Sequence, residues 1–159
     1  MRIDIDIKFG GIKKLKENIK KKFGSKVDAT ELVDDILREA GQRCLAKTQE
    51  RTPVATGTLK SKWKLGDVRH RGFYNTITIE NKEEYATYIE YGHRIPPATR
   101  KQIAYMVYNG IYDPTKPRRR EDGWYEGKFM LTKSIDETKK ELPEIAEELI
   151  TKKVSDIFQ

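Results

Sequence analysis

The sequence predicts a single α+β domain in which a small antiparallel sheet packs against two long helices. Strands are indicated where apolar and polar residues alternate, as in residues 2–9 and 73–80. Helices are indicated where apolar residues recur every three or four positions, as in residues 29–51 and 129–158. A chain of 159 residues suits one hydrophobic core, so residues 1–159 are expected to form one domain.

Residues 1–26 are predicted to form an N-terminal extension made of a strand and a short basic helix. The apolar face of the strand consists of Ile3, Ile5, Ile7 and Phe9. Two glycines end the strand, and apolar residues then recur at helical spacing until Gly24 closes the helix. These apolar residues are Ile12, Leu15, Ile19 and Phe23.

The clearest helix signal covers residues 29–51. Asp28 and Glu31 have the spacing of a capping box, which satisfies free backbone amides at a helix start. The helix is expected to end before Pro53, because a residue that precedes proline is disfavoured in helical conformation.

Three strands are predicted to follow as an antiparallel meander, so that residues 29–91 contain a helix and a sheet. The first strand carries Leu59, Ser61, Trp63 and Leu65 on one face and Lys60, Lys62 and Lys64 on the other. The second carries Phe73, Asn75, Ile77 and Ile79 on one face. The third spans residues 85–91, with Tyr85, Thr87, Ile89 and Tyr91 on one face. The short connections between these strands favour an antiparallel meander, and the N-terminal strand could join the same sheet.

Residues 92–127 show no regular period and are predicted to form a long loop, of a kind that is functional or orders on binding. Helical spacing returns in residues 128–158. Pro143 lies inside this pattern, so the C-terminal helix is expected to be kinked or restarted there.

Charge is the strongest compositional feature. Charged residues make up 36% of the chain and the formal net charge is +7, which is compatible with a polyanion such as nucleic acid. The basic residues concentrate in two runs, Lys13, Lys14, Lys16 and Lys20 to Lys22, and Lys116, Arg118, Arg119 and Arg120. Neither run is interleaved with aromatic residues that stack on bases, so solvated surface is favoured over a DNA groove.

Several classes of protein are disfavoured. No apolar run approaches the roughly 20 residues that span a membrane, and residues 1–6 do not resemble a signal peptide, so a cytosolic protein is expected. Cys44 lies on a helical apolar stripe and is interpreted as a buried small residue. No zinc-ligand spacing, nucleophile elbow or phosphate-binding glycine loop occurs, which predicts no metal, no cofactor and no catalysis.

The segment of residues 85–94, YATYIEYGHR, is the one stretch that resembles an active site. Its Glu90 and His93 offer a carboxylate and an imidazole, but the favoured interpretation is structural. Glu90 is expected to hold the turn at Gly92 through a charge-assisted hydrogen bond to backbone or to a basic side chain. The tyrosines of this segment, with Trp124 and Tyr125, have the composition of a protein interface.

Four segments in order resemble the tail-component family of tailed bacteriophages and prophages, whose members are small neck or tail-completion proteins. They are the helix ending in RTP at 51–53, TGTLKS at 56–61, YATYIEYGHR at 85–94 and GWYEGKFML at 123–131 before a long helix. The resemblance runs from about residue 29 to 158. It leaves residues 1–26 and the long loop without an assigned role.

This resemblance implies a non-enzymatic α+β protein of the head–tail junction or tail, located in the virion after synthesis in the bacterial cytoplasm. It implies a ring of copies that docks to other neck or tail proteins. The scaffold or interface candidates are Thr56, Gly57, Leu59, Trp63, Tyr85, Tyr88, Glu90, Tyr91, Gly92, Trp124 and Phe129. The residues that could face passing viral DNA are Lys116, Arg118, Arg119 and Arg120. The alternative is a small basic nucleic-acid-binding protein, and an enzyme using His93 ranks third.

Overall fold

Two long helices and a three-stranded antiparallel sheet form the body of the protein. The computed structural model describes residues 3–9, 11–53, 57–71, 74–94, 108 and 123–158. The helices are α1 (Ile12–Phe23), α2 (Ala29–Arg51), α3 (Thr58–Ser61), α4 (Ala86–Tyr91) and α5 (Met130–Phe158), with a 3-10 turn at Gly24–Lys26. The strands are β1 (Ile3–Phe9), β2 (Trp63–Arg71), β3 (Tyr74–Asn81), β4 (Gly92–Arg94) and β5 (Trp124–Glu126). The predicted α+β class is confirmed.

Helix α2 has the predicted bounds, and its caps account for them. The Asp28 carboxylate accepts hydrogen bonds from the backbone amides of Thr30 and Glu31, at 2.7 and 3.2 Å, and these bonds lower the pKa of Asp28. Thr52, at the other end, has an extended backbone. The buried face of α2 consists of Ala29, Leu32, Val33, Ile36, Leu37, Ala40, Gly41, Cys44 and Thr48.

The sheet has the strand order β1–β3–β2, so β3 is its central strand. Ile77 and Ile79 on β3 are fully buried and belong to the core that the sheet shares with α2. A Cβ built on Gly41 of α2 would lie 2.7 Å from Cδ1 of Ile77 and 2.9 Å from Cδ1 of Leu65. The absence of a side chain at Gly41 therefore lets the helix approach the sheet closely.

The predicted meander has two strands, not three. Residues 86–91, predicted as the third strand, form α4. The segment buries Ala86 and Glu90, which are four residues apart, and ends at Gly92 in a positive-φ conformation, as helices commonly do. The sheet gains its third strand from the N-terminal extension, because β1 pairs along the other edge of β3.

The first predicted strand also starts later than expected. Residues 58–61 form one helical turn, α3, after Gly57, and β2 begins at Trp63. The amide of Ser61 donates to the carbonyl of Gly57 at 3.0 Å, so the chain turns before it extends. Lys60 and Lys62 precede β2, and the lysine face predicted for one strand is therefore wrong, since only Lys64 lies in β2.

Helices α2 and α5 pack against each other in antiparallel directions. Arg51, at the end of α2, donates to Ser134 and Glu137 near the start of α5. Lys47 and Arg43 lie earlier in α2 and pair with Glu141 and Glu148, which lie later in α5. Helix α5 continues through Pro143 without restarting. None of the helices in the described ranges is long and apolar enough to cross a membrane.

Candidate assembly interface

Helix α4 presents aromatic side chains to solvent. The helix turns Ala86 and Glu90 into the protein, where both are fully buried. Tyr85, Tyr88 and Tyr91 follow one another at three-residue spacing and remain 39%, 48% and 44% exposed. Because these rings stay accessible while their helix is anchored on its other face, they form a fixed aromatic surface.

Two segments that were predicted to belong to the loop of residues 92–127 are strands instead, β4 and β5, and they extend this surface. Strands β4 and β5 pair antiparallel, with His93 opposite Tyr125 and Arg94 opposite Trp124. The ring of His93 lies 5.3 Å from that of Tyr88 and 5.6 Å from that of Tyr125, measured between centroids. Trp124 and Phe129 are 37% and 39% exposed. We call the exposed set the aromatic surface: Tyr85, Tyr88, Tyr91, Trp124 and Phe129.

Glu90 joins this surface to the C-terminal helix. Its carboxylate accepts hydrogen bonds from the amides of Leu131 at 3.0 Å and Thr132 at 2.9 Å, and from the Thr132 hydroxyl at 2.7 Å. These amides lie in the first turn of α5 and have no acceptor inside that helix. A buried carboxylate thus caps a helix that begins 40 residues further along the chain, where the helix dipole also favours negative charge.

Backbone hydrogen bonds also join the end of α4 to the residues directly before α5, and we call this contact region the α4–α5 junction. The amide of Lys128 donates to the carbonyl of Ile89 at 2.7 Å, and the amide of Phe129 donates to the carbonyl of Glu90 at 3.0 Å. Phe129 has a φ of 52°, a conformation that is uncommon for a residue with a side chain. The strained residue stands directly before α5, so the junction holds the chain in a turn that it would rarely adopt alone.

Two glycines permit this close packing. Gly92 has a φ of 82°, and a Cβ there would overlap the carbonyl oxygen of Tyr125 and lie 3.1 Å from the Trp124 ring. A Cβ on Gly127 would overlap the carbonyl oxygen of Glu90 and lie 2.8 Å from the amide nitrogen of Gly92. The two chain segments are therefore in contact at positions where neither has a side chain.

Asn81 positions the start of α4. Its side-chain nitrogen donates to the carbonyl of Leu59 at 2.9 Å, and its side-chain oxygen accepts from the amide of Glu83 at 3.0 Å. Trp63 beside it donates from Nε1 to the hydroxyl of Thr52 at 2.9 Å. Asn81 thus ties the segment before α4 to α3, and Trp63 ties β2 to the end of α2.

The described side chains offer little support for a catalytic site. Among the described residues, the His93 imidazole has one long polar contact, 3.5 Å from Nδ1 to the carbonyl of Tyr88, and its ring lies against Tyr88 and Tyr125 rather than against a carboxylate. Cys44 is fully buried, and burial raises the pKa of its thiol, which disfavours the reactive thiolate. Within the described ranges, no three His, Cys, Asp or Glu side chains cluster in a way that could hold a metal.

The structure brings together seven of the eleven scaffold or interface candidates singled out in the sequence. The junction contains Tyr85, Tyr88, Glu90, Tyr91, Gly92, Trp124 and Phe129. Gly57, Leu59 and Trp63 lie instead around α3 and the start of β2, and the last two are buried in the core. Thr56, Lys116, Arg118, Arg119 and Arg120 lie outside the described residues.

Two residues of this junction escaped the sequence-based prediction. Asn81 carries a recognisable signal, because the side chain of asparagine commonly accepts a hydrogen bond from the backbone amide two residues later, but it was not among the predicted site residues. Thr132 carries none, since its partner Glu90 is 42 positions away. The predicted charge-assisted bond of Glu90 to backbone exists, but it reaches α5 rather than the turn at Gly92.

A protein-family model described as Bacteriophage HK97-gp10, putative tail-component, matches residues 13–92. The matched range is half of the chain, and it includes the basic helix α1 that the sequence-based resemblance left out. It ends at Gly92, so β5 and α5 lie beyond it. Comparison with curated proteins and with solved structures gives no match.

Proposed function

The chain belongs to the HK97-gp10 putative tail-component family of bacteriophages, and from this premise we propose that it is a structural protein of the head–tail junction or tail completion. Copies of the chain form a ring in the virion after synthesis in the host cytoplasm, and the ring docks to neighbouring neck or tail proteins. The role is architectural and requires no cofactor. Normal particle formation by a His93→Ala variant would support the architectural role. Loss of a chemical activity in that variant would contradict the architectural role.

The aromatic surface is the observation that carries this proposal. Tyrosine and tryptophan are enriched at protein interfaces because they combine large apolar area with a polar tip. Here Glu90, Asn81 and the close glycine contacts hold the aromatic residues in place before any partner binds. Such preorganisation reduces the entropy lost on association, so a surface of this kind is suited to assembly.

A ring also needs a second, different patch on each copy, because its contacts are head to tail. We assign this patch to the groove between α2 and α5, which has a volume of about 340 Å³. Leu32 and Leu149 line it together with charged side chains from both helices, Asp35, Arg38, Glu39, Lys152, Lys153 and Asp156, and with Gln42. A mixed lining of this kind suits tyrosine, whose ring is apolar and whose hydroxyl forms hydrogen bonds.

The edge of β2 is a poorer candidate for the contact between copies. Its register with β3 shifts between Leu65 and Val68, and Lys64 and Arg69 are exposed along it. Bulges and charged side chains are features by which proteins prevent their sheet edges from pairing. The ring contact is therefore assigned to the aromatic surface and the groove.

Viral DNA passing the ring is proposed to meet Lys116 and Arg118 to Arg120, on the basis of their charge. The alternative function, a small nucleic-acid-binding protein, loses one of its supports because Lys60, Lys62 and Lys64 do not share one strand. The structural role is thus the better supported of the two.

The proposed function is tested by deleting the gene from its parent phage or prophage and examining the induced particles by negative-stain electron microscopy. Filled heads separated from tails, or tails of abnormal length, are expected, and a plasmid copy of the gene should restore intact particles. Normal infectious particles from the deletion strain would overturn the structural role.

A further inference from the structure

Helix α1 carries a concentrated positive charge. Six of its twelve residues are lysines and one is acidic, Glu17. We call the six lysines the lysine face: Lys13, Lys14, Lys16, Lys20, Lys21 and Lys22. Five of them are exposed and Lys16 is half-buried.

The lysine face is held rigidly. Ile19 on the opposite side of α1 is buried in the core, and Leu15 and Phe23 pack against the same core. The apolar side of the helix is therefore occupied by the protein itself. An amphipathic helix that binds a lipid surface must insert this side, so a membrane is not the partner that the arrangement fits.

Ion pairs do not neutralise the lysine face. Among the side chains that the structure describes, none of the six lysines forms an ion pair with a carboxylate. The Asp28 carboxylate accepts hydrogen bonds as the cap of α2, and these bonds and, to a smaller extent, the charges of Lys20 and Lys16 lower its pKa. Asp28 therefore compensates part of the charge at one end of the face. The basic residues of α2 differ from the lysine face, since Arg43, Lys47 and Arg51 pair with glutamates of α5. Because these glutamates are already paired within each copy, α5 of a second copy has fewer carboxylates that could bind the lysine face.

A basic residue of the sheet lies near the start of α1. Phe9, three residues before the first residue of α1, is paired with Asn75, and Asn75 is paired with His70. The exposed Arg69 precedes His70 in β2, so it lies at the end of the sheet from which α1 begins. Positive charge therefore extends from the helix onto this end of β2.

We propose that the lysine face binds the phosphate backbone of duplex DNA without reading base sequence. Lysines on a rigid face without ion pairs release counterions when they meet phosphates, which supplies affinity that does not depend on sequence. This contact is distinct from the one proposed for Lys116 and Arg118 to Arg120. It does not rest on ring formation, since each copy carries the whole face.

The experiment measures binding of the purified full chain to a fluorescent duplex of about 20 base pairs, by anisotropy, between about 50 and 200 mM salt. The test variant is Lys13→Gln/Lys16→Gln/Lys20→Gln. Its matched control is Lys133→Gln/Lys139→Gln/Lys140→Gln, which removes the same charge from exposed positions of α5. Glutamine and lysine have similar helix propensity, so both variants should fold, as circular dichroism will verify.

The wild-type chain and the α5 control are expected to bind DNA with the same steep dependence on salt. The slope of log K against log salt should fall by about 2 to 3 in the α1 variant, because each lost phosphate contact removes about 0.9. An equal decrease of the salt slope in the α1 variant and the α5 control would show an effect of net charge alone and would overturn the proposal. So would a wild-type chain that does not bind at the lowest salt.

Discussion

The carboxylate of Glu90 accepts hydrogen bonds from the backbone amide and the hydroxyl of Thr132, at 2.9 and 2.7 Å. Glu90 is fully buried under the aromatic surface, and Thr132 lies in the first turn of the longest helix. One side chain therefore fixes both the tyrosine-bearing helix α4 and the start of α5. A change that breaks the contacts of Glu90 should consequently destabilise both the aromatic surface and the start of the C-terminal helix.

Replacing Glu90 by alanine is expected to lower the free energy of unfolding by about 2–4 kcal/mol. The change removes a charged acceptor and leaves the buried amide of Leu131 and the partly buried amide of Thr132 without this partner. Glu90→Gln should cost less, because its carbonyl oxygen can still accept from Thr132. Urea unfolding measures both, with the exposed Glu84→Ala as control. An unfolding free energy for Glu90→Ala within about 0.5 kcal/mol of wild type would contradict the capping role.

Gly127→Ala is expected to destabilise the protein through steric overlap, and Gly92→Ala through overlap and backbone strain together. A Cβ at either position would collide with backbone of the facing segment. Gly57→Ala is the control, since Gly57 also has a positive φ, 77°, but has open space around its Cβ position. Gly92→Ala should lose about 1–3 kcal/mol more than Gly57→Ala. Equal losses in thermal unfolding would show that close packing of the two segments is unimportant.

Acid should weaken the contact between α2 and α5. Hydrogen bonds from Arg51 hold the pKa of Glu137 below its ordinary value of 4.5. Because the pKa is lower in the folded than in the unfolded state, the stabilisation is complete above about pH 4.5 and is lost as the pH falls through the folded-state pKa. The melting temperature of wild type should therefore fall more steeply below that pH than that of Glu137→Gln. Parallel profiles would contradict this, and Glu147→Gln, at an exposed position of α5, should behave as wild type.

Filling the groove between α2 and α5 should block assembly without unfolding the chain. Gln42 is exposed at this groove, and Gln42→Trp would place a large ring where the neighbouring copy is proposed to dock. The variant is expected to be as stable as wild type but absent from purified particles, as immunoblotting would show. Ala46→Trp is the matched control, one turn further along α2 and outside the groove. Normal incorporation of Gln42→Trp would remove the groove from the interface.

The sequence predicted α1, α2 and the class of the fold well, because their signals are local. The cap at Asp28, the apolar stripe and the break before Pro53 define α2 without any help from distant residues. The central strand β3 was predicted for the same reason, since its buried isoleucines alternate with polar residues.

The prediction failed where a short segment fitted two patterns. Residues 85–91 alternate as a strand does, but they also place Ala86 and Glu90 four residues apart, and the side chain of Asn81 and Gly92 delimit a short helix. The candidate site could likewise be predicted only as far as local sequence patterns define it. Exposed tyrosines were recognisable from composition, whereas the partner of Glu90 depends on how α5 packs, and no local pattern encodes that contact.

The most direct test of the account is whether the aromatic surface is needed for incorporation into particles but not for folding. A plasmid copy carrying Tyr85→Ala/Tyr88→Ala/Tyr91→Ala would complement the gene deletion, with Lys133→Gln/Lys139→Gln/Lys140→Gln as control, and incorporation would be measured by quantitative mass spectrometry of purified particles. The tyrosine variant is expected to have a melting temperature close to that of wild type, to be absent from particles and to fail to restore infectivity. The control is expected to match wild type in all three respects. A tyrosine variant that folds, enters particles in normal copy number and restores infectivity would contradict the account.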